Sequence, residues 1–374
     1  MYLRGISIQN YRNLQPSSLG LAEGFWLILG ANGHGKSNFL EAITVLCLGK
    51  SIADRDKDLI GFGEQFFRLE GRFTREERGD LESVVRMGPD GKEMLIFGTA
   101  VKRLAAFIGE ASCVVFSAED VDIVLGEPTN RRQFLNEAIS QTSQGYIFDL
   151  SRYRRALDQK NRLLKDISHR LAPVSSLDVW NGNLAQYGGR VCARRARFIR
   201  RLGEVATSLY ARLSNEAEVL EIGYEPSVPA PELPEQWPDA MLVATNERRN
   251  EEVQRGVSLV GPQRDDISLK LDGQDARAFA SRGQARTIAL SLRLAQAEIA
   301  QKQTGEWPIL LLDDVFAELD GSRRGLLATI AAQAQQIFVT TASDTDVPSV
   351  EGLKYGHINV TKGSIEILRA PNTA

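Results

Sequence analysis

Apolar and polar positions alternate at the start of the chain, around Ile6 and Ile8, and Phe25 to Leu29 is a short continuous apolar run. The first pattern predicts a half-buried strand and the second a fully buried one. Ser37 to Leu48 then places Leu40, Ile43, Leu46 and Cys47 at helical spacing. Between about 62 and 116, short β-like runs (Phe66 to Phe73, Val84 to Met87, Met94 to Phe97, Cys113 to Phe116) alternate with turns such as Pro89-Asp90-Gly91. That region predicts a small antiparallel sheet.

The period changes from about 118 to 220. Val191, Phe198, Leu202, Val205, Leu209 and Leu213 recur at threes, fours and sevens, an amphipathic or coiled-coil seam. Pro226, Pro229, Pro231, Pro234 and Pro238 follow within 13 residues and predict a loop or linker. After about 256 the α/β pattern returns. It comprises a Gly261-Pro262 turn, a long helix near 284–301, a strand at Ile309 to Leu312, a helix near 322–335, a strand at Ile337 to Thr341 and a terminal hairpin over Ile358 to Leu368.

Composition bounds the reading. A chain of 374 residues with 43% hydrophobic and 25% charged residues is globular and long enough for two to three domains. The net charge of −3 excludes a uniformly basic protein and leaves room for local basic faces. Cys47, Cys113 and Cys192 are odd in number and far apart, as expected of buried reduced thiols. His34, His169 and His357 form no zinc pattern. No apolar run approaches the ~18 residues that span a bilayer, and the first residues form no signal-peptide core. The expectation is a cytoplasmic protein with no membrane association.

Gly30-Ala31-Asn32-Gly33-His34-Gly35-Lys36-Ser37 satisfies GxxxxGK[ST] between a predicted strand and a predicted helix. Glycines let backbone N–H groups turn inward around phosphate oxygens, and the helix N-terminus adds partial positive charge. Lys36 supplies a cation for the β- and γ-phosphates, and Ser37 a hydroxyl for Mg²⁺. His34 occupies a variable position of the loop. Ile309 to Leu312 runs into Asp313-Asp314, two adjacent carboxylates that would repel each other without a cation or a water to hold. Asp313 is the candidate Mg²⁺ ligand. Asp314 is the candidate group that polarises the attacking water, with Lys36 as its catalytic partner. Roughly 270 residues separate the two halves, so a large insert must leave and rejoin the nucleotide domain.

Ser281-Arg282-Gly283-Gln284 opens the next long helix and builds a second anion-binding helix end from Ser281, Gly283 and Gln284. Glu318-Leu319-Asp320 follows the acidic strand at the spacing of an ABC D-loop. P-loop, signature, acid pair and D-loop in this order are specific to ABC-type ATPases. A second phosphate-binding helix end has no use in a site that Gly30 to Ser37 already cradles, which points to a composite site shared by two copies.

With these motifs the chain resembles the RecF family, relatives of the SMC-type ABC ATPases. The resemblance also runs through Asn10-Tyr11-Arg12-Asn13, Gly126-Glu127-Pro128, Arg131 to Leu135, Tyr153, Gln159, Asn161, Gly261 to Asp266 and Arg282. Asn136 is a departure, where the family usually has Asp; Thr340-Thr341 stands where transporters carry a switch histidine, a feature similar to RecF. No glutamine follows Cys113 to Phe116, so Ser117 and Glu119 are the candidates for that contact. The resemblance implies an α/β fold: an ABC-type P-loop ATPase head with an antiparallel β subdomain and an inserted α-helical domain. The expected division is 1–117 and 256–374 for the head, and 118–255 for the insert. It implies ATP and Mg²⁺ as cofactors, an ATP-dependent homodimer, and slow DNA-stimulated ATP hydrolysis used as a switch. By the same analogy Tyr11, Arg12 and Asn13 flank the adenine and ribose, and Asp320 belongs to the nucleotide site. The implied partners are double- and single-stranded DNA at gaps, and RecR and RecO, with RecA loading downstream.

The insert carries its own evidence for DNA. Arg190, Arg194, Arg195, Arg197, Arg200 and Arg201 fall within twelve residues that hold no acid. Arg152, Arg154, Arg155, Lys160, Arg162 and Lys165 form a second basic stretch. Such density can meet a phosphate backbone, although a solvated helix face explains either stretch alone. A transporter subunit, a small-molecule P-loop kinase and an SMC-like structural protein are the alternatives. A transporter subunit would need the missing histidine and glutamine. A kinase would make the signature accidental. An SMC-like protein needs a coiled coil far longer than the roughly 140-residue insert.

Overall fold

The computed structural model describes residues 1–51, 55–215, 218–343, 347–348 and 355–371. It divides into two compact units, Met1–Asp120 with Leu290–Ala374, and Val121–Ala289.

The first unit is built on two sheets. In one, five parallel strands lie in the order Tyr355–Thr361, Gly24–Leu29, Gln336–Thr341, Ile309–Asp313 and Cys113–Phe116, with Ser364–Arg369 added antiparallel at the edge. The four strands from Gly24–Leu29 to Cys113–Phe116 are short and mostly buried, as parallel strands covered on both faces must be, while Tyr355–Thr361 alternates buried and half-buried positions. The other sheet is antiparallel, in the order Ser17–Gly20, Tyr2–Gln9, Phe67–Thr74, Leu81–Gly88, Gly91–Ile96 and Thr99–Ala100. It is the antiparallel subdomain expected from the alternating runs. Cys113–Phe116 is a correction: it pairs parallel with Ile309–Asp313 instead of joining that sheet. Its unbroken CVVF run fits a strand buried on both faces better than an alternating one.

The helix Lys36–Leu48 touches strands of both sheets. Its spacing predicted one apolar face, yet ten of its thirteen residues are buried. A helix held between two sheets has no face left for solvent. Cys47 and Cys113 are buried thiols in this core, and burial pushes the Cys47 thiol well above its ordinary pKa.

The second unit is mainly helical. Gln144–Ser168 and the 38-residue helix Leu177–Ser214 pack together, joined by Pro128–Thr142, Trp237–Glu247 and Arg249–Arg255. The predicted seam is buried along Leu177–Ser214, with only Val205 half-exposed. The contact boundary falls at Ala289, not at 255, and the reason is a strand pairing. Leu220–Glu225 runs antiparallel to Asp266–Leu271 and ties the stretch after 256 to the helices.

A buried ionic network holds this unit. Arg195 is 2% exposed and Asp265 is fully buried. Arg195 gives Nη1 to Asp265 Oδ2 at 3.1 Å and to the Pro262 carbonyl at 2.6 Å, Nη2 to Asn136 at 3.0 Å and Nε to the Tyr146 hydroxyl at 3.1 Å. Asp265 also accepts the Ser227 N–H at 2.9 Å and the Tyr224 hydroxyl. Burial works against the Arg195 charge, but Tyr146, Tyr224 and Asp265 outweigh it and raise its pKa. Asn136, the departure from the family pattern, is thus an acceptor inside this network. Nearby, Arg131 forks onto Asp266 at 2.7 and 2.8 Å. Burial raises the Asp266 pKa, but Arg131 and the Ile267 N–H overcome that and lower it. Lys160 and Glu252 form a second buried pair at 2.6 Å. Burial lowers the Lys160 pKa against the pull of Glu252.

Removing Arg195 leaves the Asp265 charge buried without its cation. Arg195→Ala is therefore expected to lose about 3–5 kcal/mol of stability in chemical denaturation. The exposed neighbour Arg197→Ala is expected to change it by less than about 0.5 kcal/mol. Equal effects from the two would contradict this account.

Candidate functional site

At the end of Gly24–Leu29 the chain reverses through Gly30 to Gly35 and enters Lys36–Leu48. Two glycines are required there. A Cβ on Gly30 would stand 2.2 Å from the Val360 carbonyl oxygen. Gly35 has φ +110, and a Cβ would lie 2.7 Å from Leu14 and 2.9 Å from Asn13. Because Gly35 is also the N-cap, no side chain caps the helix, and its first N–H groups face outward for an anion. Ala31, Asn32 and Gly33 are exposed at the loop crest. Lys36 is buried and lies along the loop, with Nζ 2.7 Å from the Gly30 carbonyl and 3.4 Å from Asn32 Oδ1. The His34 carbonyl accepts the Gly363 N–H at 3.0 Å, so the backbone there anchors the loop to the terminal hairpin.

The segment before the loop behaves differently from the analogy. Tyr11 is fully buried, with its ring edge-on to Phe67 at 5.3 Å, and burial raises its pKa well above the ordinary value. It cannot flank a base. Arg12 forks onto Glu41 at 2.9 and 3.0 Å and gives Nη1 to the Asp58 carbonyl at 3.2 Å. Glu41 is further held by the Ser51 hydroxyl at 2.8 Å. Asn13 braces the loop: its Nδ2 donates to the Gly33 carbonyl at 3.1 Å and its Oδ1 accepts from Asn38 at 2.8 Å.

The acids stand where the parallel register puts them. Ser37 Oγ lies 3.0 Å from Asp313 Oδ1, across 276 residues of sequence. The Thr340 hydroxyl donates to the same oxygen at 2.6 Å and accepts the Asp314 N–H at 2.9 Å. Asp314 is exposed and has φ +55, a left-handed conformation that is costly for a residue with a Cβ. A hydroxyl and a carboxylate in contact are the hard oxygen donors that suit Mg²⁺, so the residues fit that ion. In the sequence Thr340 stands out only as half of the Thr340-Thr341 pair at the switch-histidine position; its bonds to the two acids follow from the strand register. Of the two candidates after Cys113–Phe116, the Ser117 N–H is tied to Asp120 at 2.9 Å, and Asp120 accepts from Arg293 at 2.7 Å. Glu119 is exposed beside them.

In the second unit, Ser281 and Gln284 cap the long helix reciprocally. The Ser281 N–H reaches Gln284 Oε1 at 2.7 Å, and the Gln284 N–H reaches Ser281 Oγ at 3.2 Å. Gln284 also donates to Glu218. Ser281, Arg282 and Gly283 are exposed, and open space surrounds the place of a Gly283 Cβ. In the first unit, Asp320 caps Gly321–Ala331 through the Arg323 N–H at 3.0 Å. The side chain of Glu318 lies outside the described residues.

The basic stretches separate into buried and exposed arginines. Arg195 is in the core network and cannot meet DNA, a correction to the expected set. Its position was in fact readable: it fills the helical step between Val191 and Phe198 on the seam. Lys160 is likewise buried against Glu252. Arg190 and Arg194 both pair with Asp149, Arg190 at 3.7 Å. Arg152 is exposed and stacks over Phe148 at 5.1 Å. Arg154, Arg155 and Arg197 are exposed and make no ion pair among the described residues. No described helix is long and apolar enough to cross a membrane.

A family model described as an AAA domain matches residues 6–177. The chain is 37% identical over 359 residues to the DNA replication and repair protein RecF of Geobacillus kaustophilus, covering 95% of each. It is 36% identical over 368 residues to that of Staphylococcus haemolyticus, covering 97% of each. The solved structure of the recombination mediator protein RecF with ATP matches at a TM-score of 0.90 and 31% identity, over 98% of this chain and 97% of that one. An SMC head bound to the C-terminal winged helix of ScpA matches at 0.56 and 15%, over 100% and 98%, and shows the fold alone. The α/β head carried by this chain therefore has the RecF arrangement along nearly its whole length, and the chain belongs to the RecF family.

Proposed function

We propose that this protein is an ATP-gated recombination mediator of replication and repair that closes on DNA as a homodimer. The observation that carries the reading is the 3.0 Å contact of Ser37 with Asp313, beside a helix end left uncapped by Gly35. The N–H groups of Gly30 to Ser37 and the Lys36 ammonium hold the phosphates, and Lys36 leaves Gly30 and Asn32 to do so. Ser37 and Asp313 would hold Mg²⁺, which would neutralise phosphate charge. Asp314, exposed on its left-handed turn, accepts a proton from the attacking water. Asn13 keeps the loop in shape. Arg12 is a positioning residue tied to Glu41 and not a base contact in this conformation.

The exposed Ser281 and Gly283 complete the site of a second copy, and Asp320 supports that contact. ATP then favours the dimer by mass action and hydrolysis releases it. The DNA-facing set is Arg152, Arg154, Arg155 and Arg197, with Arg190 and Arg194 available after release from Asp149. These contacts fit backbone phosphates of single- or double-stranded DNA and not base edges. Cooperation with RecR and RecO in RecA loading at gaps, slow DNA-stimulated turnover and a cytoplasmic location are part of the same reading, supported by family membership.

Asp314→Asn is expected to bind ATP normally and lower turnover by about 10²-fold or more, measured in a phosphate-release assay. Turnover equal to the unaltered chain would remove Asp314 from its role. Replacing Arg154, Arg155 and Arg197 with alanine is expected to weaken duplex binding and flatten its log–log salt dependence by up to ~0.9 per lost contact. An unchanged slope would return these arginines to a solvated helix face.

A further inference from the structure

We infer that Thr340 is a positioning residue that couples the two acids, fixing the rotamer of Asp313 and the backbone of Asp314 with one hydroxyl. The inference rests on the nucleotide reading of the site and deepens it.

Thr340 lies in the parallel register directly beside Asp313. It is fully buried in a strand whose six residues are all buried. A buried hydroxyl is unfavourable unless hydrogen-bonded, and valine would fill the same β-branched shape without that demand. Here the hydroxyl uses both of its capacities on the acid pair. It donates to Asp313 Oδ1 at 2.6 Å and accepts from the Asp314 N–H at 2.9 Å.

The two bonds do different work. The first, with Ser37 at 3.0 Å on the same oxygen, directs Oδ1 toward the phosphate loop. Oδ2 accepts no hydrogen bond among the described residues. The second holds Asp314 at φ +55, a left-handed conformation that aspartate adopts more readily than most residues with a Cβ but still sparsely. That turn carries the Asp314 carboxylate out of the strand and into solvent, where a water can reach it. In the same strand the polar side chain of Gln336 is also fully hydrogen-bonded, but to Leu3 and Ala22, far from the acids. Thr340 alone of the two addresses the site.

The test compares Thr340→Val, Thr340→Ala and Thr340→Ser in the full chain. Affinity for a fluorescent ATP analogue is measured with and without Mg²⁺, beside single-turnover hydrolysis. Thr340→Val and Thr340→Ala should keep the metal-free affinity and lose about tenfold of the gain that Mg²⁺ adds, with a comparable fall in the hydrolysis step. Thr340→Ser, which keeps the hydroxyl, should stay within about twofold of the unaltered chain on both readouts. A metal gain and hydrolysis rate unchanged in the valine and alanine variants would overturn the inference. So would a uniform loss of metal-free affinity, which marks a merely structural residue, or a serine variant as impaired as the valine one. Failure of the unaltered chain to bind the analogue at all is a separate result, and it would strike the nucleotide reading itself.

Discussion

Five parallel strands end at one edge, and the register between three of them governs the chemistry of the first unit. Gly24–Leu29 delivers the phosphate loop, Ile309–Asp313 delivers the acids, and Gln336–Thr341 runs between them. Residues far apart in sequence thereby become neighbours: Ser37 and Asp313 touch across 276 positions. A slip in that register would part the hydroxyls from the carboxylate they share. The helix Lys36–Leu48, gripped between two sheets, prevents such a slip by burying ten of its residues. The strands and the helix that carry the site's residues are core elements.

The second unit solves a different problem. Its long helices carry many arginines, and a helix so charged must be anchored without losing its free cations. The anchors are arginines themselves. Arg195 and Arg131 face inward to Asp265 and Asp266, and Arg194 leans on Asp149. Arg154, Arg155 and Arg197 stay in solvent. Buried pairs of this kind add little net stability over an apolar core, but losing one partner is costly, so they fix one arrangement. The stretch Gly261 to Asp266, part of the family pattern, is where this anchoring is concentrated.

Much of the head was legible. Gly30 to Ser37 and Asp313-Asp314 are local motifs whose chemistry follows from residue type and from the strand or helix around them. What escaped the sequence was pairing. The apolar run of Cys113–Phe116 gives burial but not a partner strand, and the pairing of Leu220–Glu225 with Asp266–Leu271 spans a proline-rich connection. Analogy places Tyr11 and Arg12 beside the adenine and ribose, and the fold turns both toward protein. Arg195 was hidden by charge: residue type said surface while its seam position said core, and the seam was right. Thr340 is visible in the sequence as a residue in place of a switch histidine, but its link to both acids needs the register that sets it beside Asp313.

The central claim is that Gly30 to Ser37 forms half of a site that a second copy completes through Ser281. Sedimentation velocity of the unaltered chain and of Ser281→Arg, each with and without ATP, tests this most directly. The account predicts that ATP converts the unaltered chain from monomer to dimer, while Ser281→Arg binds ATP and stays monomeric. A dimer that forms equally in both chains, or no response of the unaltered chain to bound ATP, would contradict it.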